Sequence, residues 1–338
     1  MSEESISIRQ AKTEDIPKIM EFINTYWRKD DLLAKNRSFF EWSFVRDGNV
    51  TIIIGIDDSS DRICGMLAYM PYTLDEGSDC YMSIWKVIRN ANIFLGQDLR
   101  KFFDENFSYR YTGGAGLRDR AIRLKKIQGK KVIRMDHFYR LCDCEEYKIA
   151  DVKNAFIPVA PVSKAQLVKI SNIEDFKAVI SESVLENSVF RKNYWYIKHR
   201  YFDHSQYDYE LWGIIDSDKK PGSNAVVITR EEKYQDSRSW KLIDFYGDDG
   251  KIRDIAAQLD GVMKERGYEF IDVYSYGIPE SLFLEGGFLL CDDNSDNIIP
   301  NYFHPFERRN VDIYMGEPAF EGLKLFRGDG DQDRPCEE

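Results

Sequence analysis

Asn36-Arg37-Ser38-Phe39-Phe40-Glu41-Trp42, with the apolar run Thr51-Ile52-Ile53-Ile54-Gly55-Ile56-Asp57 that follows it, is the stretch that says most about the fold. The second half of the chain has the same succession, in which residues 188–195 precede Tyr209-Glu210-Leu211-Trp212-Gly213-Ile214-Ile215-Asp216. A single repeat with a period of about 150 residues predicts two packed domains built on one plan. Chance similarity between two aromatic-rich segments is the alternative.

Hydrophobic periodicity extends this plan along both halves of the chain. Ile16, Met20, Ile23 and Trp27 recur at helical spacing after the capping residue Thr13. The first half then predicts strands at 50–57, 62–71 and 79–88, helices at 95–107 and 117–127, and strands at 108–112 and 131–141. The second half predicts strands at 166–170, 209–216, 223–230, 239–246 and 269–275, and helices at 173–183, 188–200, 251–266 and 279–285. We therefore expect an α/β (α+β) chain whose two domains each have a mixed, mostly antiparallel, twisted sheet flanked by helices.

The domain boundaries follow from composition. We expect an N-terminal domain at residues 1–150, a linker at 151–162 and a C-terminal domain at 163–326. The linker prediction rests on Pro158 and Pro161. Residues 327–338 are rich in Gly, Asp and Arg and have no apolar period, which predicts a flexible tail.

Composition excludes several classes of function. The 338 residues carry 47 Lys and Arg against 58 Asp and Glu, and the resulting net charge of −11 disfavours nucleic acid as a partner. The six cysteines lack the spacing of zinc ligands, so we expect reduced thiols and no metal. The start, Met1-Ser2-Glu3-Glu4, has no signal-peptide pattern, and no run is long enough to span a membrane. We expect a cytoplasmic protein.

Three segments carry a resemblance to a known family. They are Ile8-Arg9-Gln10-Ala11-Lys12-Thr13-Glu14-Asp15-Ile16, Ser38-Phe39-Phe40-Glu41-Trp42 and His137-Phe138-Tyr139-Arg140-Leu141. With the order of the predicted elements, they resemble a tandem pair of Gcn5-related N-acetyltransferase (GNAT) domains. They are similar to members among bacterial surface-polysaccharide acyltransferases. The resemblance implies acetyl-CoA or another acyl-CoA as co-substrate.

In the GNAT fold, the acyl-CoA pyrophosphate lies where the fourth strand enters the next helix, often at a Gln/Arg-x-x-Gly-x-Gly/Ala motif. Helix N-termini favour such anions. The matching segment is Arg89-Asn90-Ala91-Asn92-Ile93-Phe94-Leu95-Gly96-Gln97-Asp98-Leu99, which keeps one glycine of the motif and has Ala91 at the Gln/Arg position. The cofactor-binding residues implied are Trp85, Val87, Arg89, Asn90, Asn92, Leu95, Gly96 and Gln97. An ordinary helix start is the alternative interpretation.

Charge distinguishes the two halves. The last predicted helix of the first half carries Arg118, Arg123 and Lys126, which would attract a diphosphate. The corresponding region of the second half has Gly247-Asp248-Asp249-Gly250, followed by Glu280 and Glu285, which would repel it. We therefore assign acyl-CoA to the N-terminal half and expect the C-terminal half to have lost it. A solvated basic helix face is the alternative.

For the chemistry, the resemblance implies direct attack of an amine on a thioester held beside the strand at 82–88. Amine attack needs a base, and His137, backed by Asp136, is the candidate. Strand alternation points these two neighbours to opposite faces, and a structural core histidine is the alternative. Many family members place a tyrosine acid in the last helix, where this chain has Lys125 and Phe283.

The acceptor prediction rests on aromatic and hydrogen-bonding side chains. Trp195, His199 and Arg200 lie in one aromatic-rich stretch, and Trp42 is the counterpart in the first half. Aromatic faces pack on sugar rings, and Arg and His bind hydroxyl or phosphate groups. An amino sugar, free or nucleotide-linked, is therefore the predicted acceptor, with packing of the tryptophans in a helix core as the alternative.

The function predicted is an acyl-CoA-dependent N-acyltransferase of surface-polysaccharide biosynthesis. Two alternatives stay open. FemABX-like proteins also pair two such domains and transfer an aminoacyl group from charged tRNA, which the net charge disfavours. A tandem-GNAT protein without activity, used for binding, is the other.

Overall fold

The protein was analysed as a computed structural model that describes residues 5–117, 119–127, 129, 131–188, 190–216, 224–316, 322–330, 333 and 335. The chain divides into two compact units. The first unit holds Met1–Gly114 and the second holds Ala115–Asp333. No helix in the described part of the chain has both the length and the apolar composition to cross a membrane.

The first unit contains one five-stranded sheet with helices packed on it. Its helices are α1 (Ile16–Phe22), α2 (Leu32–Lys35), α3 (Arg37–Phe44) and α4 (Leu95–Asn106). Its strands are β1 (Ile6–Gln10), β2 (Val45–Arg46), β3 (Asn49–Val50), β4 (Ile52–Asp57), β5 (Arg62–Pro71), β6 (Cys80–Val87) and β7 (Thr112–Gly113). The sheet order is β1-β4-β5-β6-β7, antiparallel except for the parallel pair β6–β7. A β2–β3 hairpin stands beside it.

Helix α4 lies close against this sheet because two strand residues are glycines. A Cβ atom on Gly55 of β4 would come within 2.9 Å of Leu95, and one on Gly65 of β5 within 3.1 Å of Leu95 and of Leu99. Leu95, Leu99 and Phe103 are buried along one face of α4, at i, i+4 and i+8. The two glycines therefore set the position of the start of α4 relative to β4 and β5.

The second unit has one larger mixed sheet. Its helices are α5 (Asp119–Ile127), α6 (Ile173–Val179), α7 (Glu182–Glu186), α8 (Tyr194–Ile197), α9 (Ala256–Arg266) and α10 (Glu280–Glu285). Its strands are β8 (Val132–Arg134), β9 (Asp136–Leu141), β10 (Ala165–Ile170), β11 (Tyr209–Asp216), β12 (Ala225–Tyr234), β13 (Ser237–Gly247), β14 (Tyr268–Tyr276), β15 (Leu289–Leu290), β16 (Tyr302–Phe303), β17 (Phe306–Glu307), β18 (Tyr314–Gly316) and β19 (Leu325–Phe326).

The main sheet of the second unit has the order β10-β11-β12-β13-β14-β9-β15, and β19 pairs with β14 at one end. An antiparallel meander, a helix and a parallel strand follow one another here as β11-β12-β13, α9 and β14. The first unit has the same succession in β4-β5-β6, α4 and β7. The predicted α/β class, with mixed and mostly antiparallel sheets flanked by helices, is confirmed.

The predicted boundary near residue 150 is wrong. Strand β9 lies inside the sheet of the second unit, between β14 and β15, with Phe270 opposite Leu141 and Ser275 opposite Asp136. The prediction puts β9 at the end of the N-terminal domain. Its backbone pairs with β14, more than a hundred residues later in the chain, and this pairing places β9 in the second unit. Residues 151–162 consequently lie within one unit and do not link two.

The predicted flexible tail is also wrong for the residues that the structure describes there. Arg327 is 2% exposed, and Asp329 and Asp333 are 1% and 2% exposed. Each of the three forms an ion pair with a buried side chain of the second unit. Ion pairs to residues far away in the chain hold these three side chains in place. The segment therefore packs on the second unit although its sequence has no apolar periodicity.

Candidate functional site

The entrance of α4 is a helix start with one unused backbone donor. The Gln97 and Asp98 N–H groups donate to the carbonyl of Phe94, over 2.8 Å and 3.0 Å, and the Leu95 N–H donates to the carbonyl of Asn92. Within the described residues, the structure gives the Gly96 N–H no acceptor. First-turn N–H groups carry the positive end of the helix dipole. The Gly96 N–H is therefore the donor that this helix start offers to an anion.

Three of the predicted cofactor-binding residues meet at this donor. A Cβ atom on Gly96 would lie 3.6 Å from Trp85 Nε1 and 3.7 Å from Val87 Cγ2. Trp85 is 43% exposed, and Val87 is half-buried. Gly96 is half-buried and lies beside the indole N–H of Trp85, which is a donor only.

The other predicted loop residues divide between surface and core. Arg89, Asn90, Asn92 and Gln97 are exposed, and Asn92 Oδ1 accepts a hydrogen bond from the Phe94 N–H over 2.9 Å. The Phe94 ring does not fill the entrance, because 56% of that residue is exposed. The side chain of Leu95 is 1% exposed and belongs to the apolar core, and its backbone N–H donates to the carbonyl of Asn92.

Strands β6 and β7 diverge beside this loop. They pair only at Cys80–Thr112 and Tyr81–Gly113, so β6 continues from Met82 to Val87 without β7 along that edge. Strand β6 also holds one more residue than β5 between the pairs Leu67–Trp85 and Tyr69–Met82. A bulge of this kind changes the direction of the neighbouring side chains and interrupts the hydrogen bonding between the two strands. The open edge of β6 ends at Val87, and the loop that follows it connects to the start of α4 at Leu95.

The basic helix is not part of this unit. Arg123 and Lys126 are exposed on α5, which belongs to the second unit, and Arg118 lies outside the described residues. Their assignment to a phosphate site in the same domain as Gly96 rested on a boundary at residue 150, whereas the two units divide after Gly114.

The corresponding gap in the second unit is filled by its own chain. Strands β13 and β14 pair up to Leu242–Val273 and then separate. Strand β19 occupies the opening, with Phe326 opposite Ser275 on β14. On the other side, the Gly328 N–H donates to the carbonyl of Ile243 over 2.9 Å. In the second unit, β13 and β14 therefore each have a hydrogen-bonded partner where they separate.

The predicted catalytic pair is separated by strand alternation. His137 is 4% exposed, whereas its neighbour Asp136 is exposed on the opposite face of β9. Asp272 is the partner of His137, with 2.9 Å between His137 Nε2 and Asp272 Oδ2. Burial lowers the pKa of His137 and outweighs the opposing effect of Asp272. The pairing of His137 with Asp136 is wrong, and His137 belongs to the second unit.

The predicted acceptor residues are each packed against neighbours within their own unit. Trp42 is half-buried and stacks on Phe39, with ring centroids 5.6 Å apart. Trp195 stacks on His199 at 5.0 Å. Arg200 is buried and donates to Asp333 over 2.7 Å and to the Tyr209 hydroxyl over 2.6 Å. A guanidinium used in this way has no role in holding a substrate phosphate, so that prediction for Arg200 is wrong.

Sequence reasoning missed the buried charges of the second unit. Three groups of side chains share ion pairs at 7% exposure or less: Lys241, Asp272, Arg327 and His137; Lys192, Asp244 and Asp329; Arg200, Arg230 and Asp333. The available signal was a charge inside an apolar strand, as in Trp240-Lys241-Leu242-Ile243-Asp244 and Phe270-Ile271-Asp272-Val273. Among the described residues, no group of three or more His, Cys, Asp or Glu side chains is placed to hold a metal ion.

Comparison with known proteins gives the fold a name. No family model and no curated protein matches the chain. A GCN5-related N-acetyltransferase from Anabaena variabilis is similar in structure, with a TM-score of 0.53 and 10% identity over 92% of this chain and 72% of that one. A probable N-acyltransferase from Enterococcus faecalis V583, described as a conserved protein of unknown function, has a TM-score of 0.56 and 9% identity over 85% of this chain and 70% of that one. At such identities the likeness concerns structure alone, and it shows that this chain has the fold of the GCN5-related N-acetyltransferases.

Proposed function

We propose that the chain is an acyl-CoA-dependent N-acyltransferase that binds its acyl-CoA in the first unit. The observation that carries this proposal is the unused Gly96 N–H at the start of α4, beside Trp85 and the open edge of β6. The fold shared with an N-acetyltransferase and a probable N-acyltransferase supports acyl-CoA as the class of donor.

In this proposal the entrance of α4 binds the diphosphate of CoA. The Gly96 N–H donates to a phosphate oxygen, and the dipole of the 12-residue helix α4 favours the negative charge. The indole N–H of Trp85 lies close enough to Gly96 to donate to the same group. Arg89, exposed on the loop, adds positive potential.

The open edge of β6 then positions the pantetheine arm and the thioester. Backbone N–H groups already fixed in a strand stabilise the oxyanion that forms when an amine attacks the acyl carbon. The new C–N bond forms, the C–S bond breaks, and CoA leaves as the thiolate. The proton lost by the amine passes to water, because the predicted base His137 is 4% exposed and is hydrogen-bonded to Asp272.

We assign no acyl-CoA to the second unit. Its strands β13 and β14 are bridged by β19 and Gly328, which occupy both edges that a pantetheine arm would need. The loop after β13 also carries Asp248 and Asp249, whose charges oppose a diphosphate. The second unit in this proposal is a structural or acceptor-binding part of the enzyme.

The acceptor is proposed to be an amine, and an amino sugar for a surface polysaccharide is the specific candidate. The support in the first unit is the half-buried aromatic ring of Trp42. Transfer from labelled acetyl-CoA to a panel of amino sugars, nucleotide-linked amino sugars, polyamines and peptides tests this step. Product formed with polyamines or peptides alone would exclude the amino sugar.

Replacing Trp85 with alanine is expected to weaken CoA binding about tenfold, because one donor beside Gly96 and the adjacent ring surface are lost. Isothermal titration calorimetry with CoA and acetyl-CoA measures the effect. Trp195→Ala, which removes a stacked tryptophan from the second unit, is the matched control and should leave the affinity unchanged. Equal losses in both variants, or no binding to the parent protein at millimolar CoA, would contradict the proposal.

Replacing His137 with glutamine is expected to leave acyl transfer intact once folding is accounted for. His137 Nε2–H donates to Asp272, and a side-chain amide keeps a donor there. Turnover per folded molecule should stay within a factor of two to three of the parent, whereas loss of a general base typically costs on the order of 100-fold or more. A loss of that larger size, with unchanged thermal unfolding, would restore His137 as the base.

A further inference from the structure

The buried face of the second sheet holds a charged cluster centred on Asp272 of β14. Asp272 Oδ1 lies 2.6 Å from Lys241 Nζ, and Asp272 Oδ2 lies 2.7 Å from Arg327 Nη2 and 2.9 Å from His137 Nε2. Asp272 itself is fully buried, and the other three side chains are 4% exposed or less. The cluster is shielded from bulk water on all sides that the structure describes.

The cluster contains more positive than negative charge. Lys241 and Arg327 carry two positive charges and Asp272 one negative charge. Burial holds His137 neutral by lowering its pKa. Burial also lowers the pKa of Lys241 to about 8, which still leaves the ammonium charged at neutral pH. Glu232 acts on Lys241 from further away, but its carboxylate pairs with Arg230. An excess buried charge is costly unless a counter-charge accompanies it.

Arg327 also has donors that the protein does not use. Its Nη2 donates to Asp272, but its Nε and Nη1 have no acceptor among the described residues, although Arg327 is 2% exposed. The guanidinium carbon lies 5.0 Å from the centroid of the Tyr274 ring, and the Tyr274 hydroxyl donates to the carbonyl of Val311. Buried donors are nearly always paired in folded proteins. The unused donors of Arg327 indicate a missing acceptor, and the positive charge of this cluster favours an anion as that acceptor.

We propose that Arg327 and Lys241, around Asp272 and Tyr274, form a binding site for a small oxyanion inside the second unit. The ligand is a carboxylate or phosphate group, which brings one negative charge and accepts from Arg327 Nε or Nη1. This site is separate from the α4 entrance of the first unit and does not depend on acyl-CoA binding there.

Titration of the full chain with inorganic phosphate and with acetate, at ionic strength held constant with sodium chloride, tests the site. Thermal unfolding should show a saturable rise in Tm of about 5 °C or more with at least one of the two probes. A response to phosphate alone indicates a phosphate-bearing ligand, and a response to acetate indicates a carboxylate. If neither probe raises Tm in a saturable way, the proposal is overturned.

Two variants locate the effect. Lys241→Met removes the excess charge and leaves Asp272 paired with Arg327 and His137, so the variant should fold and bind the probe at least tenfold more weakly. Arg327→Lys keeps the charge and removes the two unused donors, and should lose binding to a similar extent. Arg309→Gln, in which an exposed guanidinium is removed, is the matched control and should bind as the parent does.

The result is distinguishable from that of the acyl-CoA proposal. Gly96→Glu should keep the full response to phosphate or acetate even where it loses CoA binding. An unchanged response in both Lys241→Met and Arg327→Lys would mean that the anion binds elsewhere, and the proposed site would be abandoned.

Discussion

Replacing Asp333 with alanine is expected to lower the free energy of unfolding by about 3–5 kcal/mol, because two buried guanidinium groups lose their shared counter-charge. Asp333 Oδ2 lies 2.7 Å from Arg200 Nη2, and Asp333 Oδ1 lies 2.9 Å from Arg230 Nη2. The Tyr209 hydroxyl donates to the same carboxylate. Removing the carboxylate leaves Arg200 buried without a counter-charge and leaves Arg230 with Glu232 alone, which costs far more than the pair itself contributes.

The pH dependence of this contribution has a definite sign. Burial raises the pKa of Asp333, but Arg230 and Arg200 outweigh it, so the pKa lies below the ordinary aspartate value. A depressed carboxyl pKa stabilises the folded state at neutral pH, and this stabilisation is lost as the pH falls below about 3.9. The parent should therefore lose stability on acidification in this range more steeply than Asp333→Ala does.

Urea unfolding followed by fluorescence and by circular dichroism measures both effects. Asp293→Ala is the control, because the Asp293 side chain is 85% exposed and its loss should change the unfolding free energy by no more than about 0.5 kcal/mol. If Asp333→Ala were as stable as the control, the segment around Asp333 would not be anchored in the second unit as the structure places it.

Replacing Gly96 with glutamate is expected to abolish CoA binding, with a loss on the order of 100-fold or more in affinity, because the new carboxylate stands where the diphosphate is proposed to bind. The substitution itself should be tolerated. A Cβ atom at Gly96 makes only ordinary contacts, at 3.6 Å to Trp85 and 3.7 Å to Val87, and glutamate favours helices more than glycine does. Loss of binding would therefore report on the ligand and not on folding.

Calorimetry with CoA, together with thermal unfolding in its presence and absence, separates these possibilities. The unliganded variant should unfold at or above the temperature of the parent, whereas CoA should raise Tm only for the parent. Gly96→Ala is the control, since a methyl group at this distance leaves the N–H accessible and adds no charge. CoA binding retained by Gly96→Glu would remove the assignment of acyl-CoA to the first unit.

Hydrophobic periodicity predicted the bounds of a helix or strand well where the residues of that element alone determine its structure. The helix expected at 95–107 is observed as α4, Leu95–Asn106, because Leu95, Leu99 and Phe103 repeat at helical spacing and supply the buried face. The strand expected at 79–88 is observed as Cys80–Val87. The helix expected at 188–200 is shorter, with α8 at Tyr194–Ile197 followed by one π-helical turn at Lys198–Phe202. Asn193 caps α8 by accepting from the Tyr196 N–H, a signal that was present in the sequence.

The candidate site was predicted only in part. The resemblance to the GNAT fold implied Trp85, Val87 and Gly96 as cofactor-binding residues, and the structure places the side chains of Trp85 and Val87 beside Gly96. Arg123 and Lys126 were wrongly attached to that group. Their helix precedes β9 in the chain, and it belongs to the second unit, which begins at Ala115.

By itself, the sequence determined the α/β class and the position of the helix start beside Gly96, because these depend on periodicity and turn residues within a few positions of one another. Only the tertiary structure decided the unit boundary, the partner of His137 and the burial of Arg327, Asp329 and Asp333. Each of these depends on a hydrogen bond or ion pair between residues that are far apart in the chain. The strength of such a contact comes from the exclusion of water around it, which no short stretch of sequence encodes.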